Sequence, residues 1–73
     1  MRKWLRTLRE EKALSQAKVA QLAGITQQSY QAIEAGATVP RPPTAKRIST
    51  VLGFIWTRFY EEDENDEQVG AGG

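Results

Sequence analysis

The 73-residue sequence predicts an all-α fold of five short helices. Three observations carry that expectation. Apolar residues recur at helical spacing, as in Trp4, Leu5 and Leu8. No stretch alternates apolar and polar residues over the length of a strand with β-branched enrichment. Glycine closes three of the apolar segments, at positions 24, 36 and 53, where a helix end favours a residue with positive φ.

The elements follow in order along the chain. Trp4, Leu5 and Leu8 form the inward stripe of a first helix over about 2–12. Ser15 is the expected N-cap of a second helix over 16–23, whose Val19, Ala20 and Ala23 face inward and which stops at Gly24. Thr26 caps a third over 27–35, ending at Gly36. Residues 37–43 hold three prolines and read as a connection. A fourth helix over about 43–52 carries Ala45, Ile48, Val51 and Leu52 and stops at Gly53. A short fifth helix includes Trp56, Phe59 and Tyr60. The domain is expected to span 1–60. Residues 61–73 are acidic, then Gly-rich, without periodicity, and read as a disordered tail.

Composition narrows the function. With no Cys there are no disulfides or thiolate metal sites. With no His, the commonest general base and metal ligand are absent. No phosphate-cradling glycine loop and no paired carboxylates on a structured face appear, so the sequence offers no catalytic, metal or cofactor site. No apolar run approaches the ~18 residues of a membrane span. Arg2, Lys3, Arg6 and Arg9 interrupt any signal-peptide core. The expectation is a cytoplasmic, non-enzymatic protein. Its net charge of +1 conceals an asymmetry. Residues 1–60 hold ten basic and three acidic residues, a net +7, whereas residues 61–67 carry six acids and no base. A basic domain suggests a polyanionic partner, with nucleic acid first. The competing reading is a solvated basic surface with a solubilising tail.

The segment 16–36 decides between them. It reads as two short helices joined by a tight turn at Gly24, with Ala20 small where the helices cross and Ile25 available to plug the core. On the third helix Tyr30 and Ile33 share one face, and Gln27, Gln28, Gln31 and Ala32 lie on roughly the opposite arc. A merely solvated face usually carries Lys and Glu. An amide donates and accepts at once, which suits adenine N6 and N7 in the major groove. The three glutamines therefore read as base contacts.

At these residues the chain resembles the helix-turn-helix of Cro and phage-repressor type regulators, the xenobiotic-response-element family, over about residues 2–60. Leu5, Leu8 and Arg9 resemble its first helix, Leu14-Ser15-Gln16 the start of its second, and Ala20, Gly24, Ile25 and Thr26 its turn. Ile33-Glu34-Ala35-Gly36 resembles the end of its recognition helix, and Pro40, Thr44-Ala45, Ile48 and Leu52-Gly53 its fourth helix. The resemblance implies a repressor-like five-helix domain with helices 2 and 3 as the helix-turn-helix. It implies sequence-specific binding of a double-stranded DNA operator, as a homodimer, in a phage or prophage repressor of the Cro kind. Gln27, Gln28, Gln31 and Ala32 would touch bases, Ala32 at a thymine methyl. Gln16 would bond a phosphate and brace the first recognition glutamine. Thr26 and Tyr30 would reach phosphates, and Arg9 and Glu34 would form an ion pair tying helix 1 to the end of helix 3.

Departures from the pattern add to this. Lys18 replaces the capping-box Glu of helix 2, placing a cation near a positive helix end unless a phosphate lies beside it. Ala37, Thr38 and Val39 follow Gly36 where Lys or Arg is common, and Arg41 stands at the cap of helix 4, unable to cap but able to reach a phosphate. Arg2, Lys3, Arg6 and Lys12 read as solubility charges, and Trp4 as packing. Ile55, Trp56 and Tyr60 either close the core or form a dimer surface. The alternative function is a protein-interaction module or an antitoxin-type partner-binding protein on the same fold, its acidic tail a possible docking segment for a protein partner.

Overall fold

A computed structural model describes residues 1–61 and places four helices, α1 (Lys3–Glu11), α2 (Gln16–Ala23), α3 (Gln27–Ala35) and α4 (Pro42–Leu52). A final helical segment, α5, runs over 58–61. Glu61 donates its N–H to Thr57 O at 3.2 Å and belongs to that last segment. The rest of the expected acidic and Gly-rich tail lies outside the described residues.

Side-chain caps start the two central helices. Ser15 Oγ accepts the Lys18 N–H at 3.0 Å, and Thr26 Oγ1 accepts the Ser29 N–H at 3.1 Å. Each satisfies a donor the helix itself cannot pair. Helix α4 starts differently. Arg41 occupies its N-cap without a side-chain bond, and prolines fill the first two positions, where a missing N–H costs nothing. The expected start at 43 is therefore one residue late.

Helix ends follow a single device. At α2 the Ile25 N–H reaches back to Ala20 O at 2.9 Å across Gly24, whose φ is +72°. Helix α1 makes the same closure without glycine. Leu14 N–H bonds Arg9 O at 3.2 Å, Ala13 N–H bonds Glu10 O at 2.9 Å, and Ala13 takes φ +57°. A Cβ in that conformation is strained. Ala13→Gly is thus expected to stabilise the fold by about 1 kcal/mol, the left-handed penalty being only partly offset by glycine's freedom when unfolded. A urea midpoint that falls on substitution would contradict this.

The core joins all five elements through Leu5, Val19, Tyr30, Ile48, Leu52 and Phe59, none more than 1% exposed. Ala20 is buried in the same core. Phe59 is the residue of α5 that closes the core, packing with Trp4 and Phe54 at ring-centroid separations of 5.3 and 5.5 Å. Trp56 does not belong to α5 as expected; it precedes that helix in a turn and is only half-buried.

Candidate nucleic-acid interface

The caps and the Gly24 turn fix how α3 leaves α2. Thr26 also donates its hydroxyl to Ser29 Oγ at 2.9 Å, so both functions of this side chain are spent at the start of α3. Arg47 of α4 lies beside the same turn, its Nη1 3.9 Å from where a Cβ on Gly24 would sit. Tyr30 and Ile33 anchor the inner face of α3, at 0% and 4% exposure. The outer face presents Gln27, Gln28 and Gln31 to solvent, with Ala32 half-buried beside them. An open groove of about 410 Å³ runs along this face, lined by Gln28, Ser29 and Ala32 on one side and Thr38 and Thr44 on the other. Thr38 is no candidate from the sequence alone, since nothing local places the α3–α4 connection opposite α3. Lys18 and Arg41 are exposed on flanking elements.

Behind this face lies a polar junction. Arg9 grips Glu34 with Nε to Oε2 at 2.7 Å and Nη2 to Oε1 at 3.0 Å, and its Nη1 donates to Leu14 O at 2.8 Å. One guanidinium thereby ties α1, the α1–α2 connection and the end of α3. Glu34 is 2% exposed. Burial alone would raise its pKa. Hydrogen bonds from Arg9 and Gln16 and the Arg9 charge outweigh that, and the carboxyl titrates below its ordinary value. Arg9 is correspondingly raised, chiefly by its bond to Glu34.

Two expected contacts are corrected by this junction. Gln16 does not brace Gln27. Its Nε2 donates to Glu34 Oε1 at 3.0 Å, because a buried carboxylate demands donors for its remaining lone pairs. Tyr30 is fully buried and cannot reach a phosphate. Its hydroxyl meets no partner at hydrogen-bonding geometry but lies beside Glu34. Burial first, and then that neighbouring charge, hold its pKa far above the usual phenol range.

Arg2 is the third correction. Rather than a solubility charge, it is a buried residue at 3% exposure that bonds main-chain carbonyls of α3 and the α3–α4 connection. Of the expected dimer residues, Ile55 stands out at 73% exposure. Trp56 and Tyr60 are half-buried and engaged within the chain: their rings pack edge-on at 5.9 Å, Lys46 Nζ lies 5.0 Å above Trp56, and the Tyr60 hydroxyl donates to Pro40 O at 2.9 Å.

Among the described residues no helix is long and apolar enough to cross a membrane. The helix-turn-helix family matches residues 5–55 of the chain. The chain is 42% identical over 66 residues to YqaF of Bacillus subtilis (strain 168), an uncharacterized HTH-type transcriptional regulator, spanning 90% of this sequence and 87% of that one. No solved structure matches.

Proposed function

Because the chain belongs to the helix-turn-helix transcriptional regulators of the Cro and phage-repressor type, we propose that it is a sequence-specific repressor that acts by occupying a duplex operator. The observation that carries this reading is the uncharged amide face of α3. Gln27, Gln28 and Gln31 are exposed on a helix whose start is locked by Thr26 and whose inner face is locked by Tyr30 and Ile33. Amides so held present both a donor and an acceptor to base edges without first having to be ordered. Lys18, Arg41 and the free donor of Gln16 supply backbone contacts on either side, and Ala32 meets a thymine methyl. The protein performs no chemistry on its ligand. It blocks polymerase or a competing regulator from the site.

Selection of bound sequences from a random duplex pool tests this reading. A single enriched motif, with affinity that falls steeply with salt, is expected. Recovery of no motif together with salt-insensitive binding to a protein partner would replace it with the interaction-module reading.

A single helix-turn-helix reads few base pairs, so high specificity calls for a dimer on DNA. Ile55, with Trp56 and Tyr60 behind it, is the proposed contact. The two half-sites are then expected about one helical turn apart, ~34 Å, the spacing typical of this motif class. Footprinting checks it. Protection of one half-site at 1:1 stoichiometry would show that the protein binds as a monomer.

A further inference from the structure

The α3–α4 connection has no cation before Arg41, yet it forms one wall of the groove beside the recognition face. Something must hold it there. Tyr60 holds it at Pro40 O. The second anchor is at the other end of the chain. Arg2 Nη1 donates to Thr38 O at 2.8 Å and also to Ile33 O, while the Arg2 main-chain N–H donates to Glu34 O at 2.8 Å. The guanidinium carbon lies 5.4 Å from the centre of the Phe59 ring. One residue thus serves three carbonyls on both sides of Gly36. Its charge sits at the negative end of α3, where a cation is favoured. A guanidinium so deeply buried cannot let go of its acceptors cheaply, so these bonds persist.

We infer that Arg2 is a positioning residue for DNA binding, which fixes the α3–α4 connection against α3 and so sets Arg41 on the phosphate backbone. The inference rests on the proposed DNA-binding function. Rigidity carries the effect from Thr38 to Arg41. Pro40 is buried, fixes its own φ and restricts Val39, and Pro42 restricts Arg41 itself, so the path from the anchor to Arg41 is stiff.

The test compares Arg2→Met, which keeps an apolar stem, with Arg2→Lys, which also keeps the charge. Urea unfolding confirms that each variant is folded under the assay conditions. In Arg2→Met the Ala37 amide, bonded to Ala32 O at 2.9 Å, should exchange faster than in the wild type. Duplex affinity should fall severalfold on specific and scrambled sequences alike. The salt dependence should become shallower by about 0.9, the slope supplied by the single phosphate that Arg41 neutralises. Arg2→Lys should recover part of both effects. In an Arg41→Ala background Arg2→Met should cost nothing further. Full additivity of the two substitutions, or an Ala37 amide that exchanges as in the wild type, overturns the inference. A wild type that binds no duplex would instead refute the proposed function, and the Ala37 exchange would still report whether Arg2 holds the connection. Should neither variant fold, the wild type is titrated with duplex. Arg2 side-chain resonances should shift in step with those of Arg41, and an unmoved Arg2 rejects the coupling.

Discussion

Glu34→Ala should remove about 3–5 kcal/mol of stability, the usual cost of breaking a buried ion pair from one side. A domain of this size has roughly 3–9 kcal/mol in total, so the variant should be largely unfolded near its normal working temperature. The reason is the number of donors stranded at once. Glu34 accepts from Arg9 Nε and Nη2 and from Gln16 Nε2. The Arg9 side chain is only 13% exposed, so its charge would be left without a partner and largely out of water. The paired replacement Arg9→Met with Glu34→Leu should be far better tolerated, because it removes both charges together. Chemical denaturation of both variants beside the wild type tests this. A single-site loss under about 1 kcal/mol would mean that the pair behaves as an exposed one.

The same carboxyl sets an acid limit. Its pKa is lower in the folded state than in the unfolded chain, so its contribution is fully present above the unfolded value of about 4.3 and is lost as pH falls through the depressed folded value. Glu34→Gln should flatten the stability profile in that acid window and leave its shape unchanged between about pH 6 and 8, since the chain holds no histidine to titrate there.

What the sequence revealed depended on how local each signal was. Ser15, Thr26, Gly24 and Gly36 act within four or five residues of themselves, and α2 and α3 lie where those residues place them. The end of α1 lies within a residue of its expected place although Ala13, not glycine, adopts the left-handed conformation there. Arg2 looks like a surface charge in the sequence because its acceptors lie 31 and 36 residues away, and no spacing rule connects them. The Gln16 contact is hidden for a similar reason. Its nearest polar need is a carboxylate on another helix, and periodicity says only which face a residue occupies. At α5, Phe59 rather than Trp56 closes the core, since the aromatic residues there follow one another too closely for period alone to choose.

The double variant Gln27→Ala, Gln28→Ala should lose about 2–6 kcal/mol on its selected operator, from about 1–3 kcal/mol for each base contact. Its affinity for scrambled duplex should stay close to that of the wild type. Both side chains are exposed and neither takes part in the Thr26 cap or the Glu34 junction. Alanine is also a better helix former than glutamine, so thermal stability should hold or rise slightly. That separates loss of reading from loss of folding, which would lower both affinities together. The single substitution Gln27→Ala should relax the preference at one base pair of each half-site, leaving the neighbouring positions selected as before. Competition binding against a panel of operators with single base-pair changes measures this. An equal loss on operator and scrambled duplex would mean that these amides support backbone contact alone, and base reading would then have to come from elsewhere on the groove-facing side of α3.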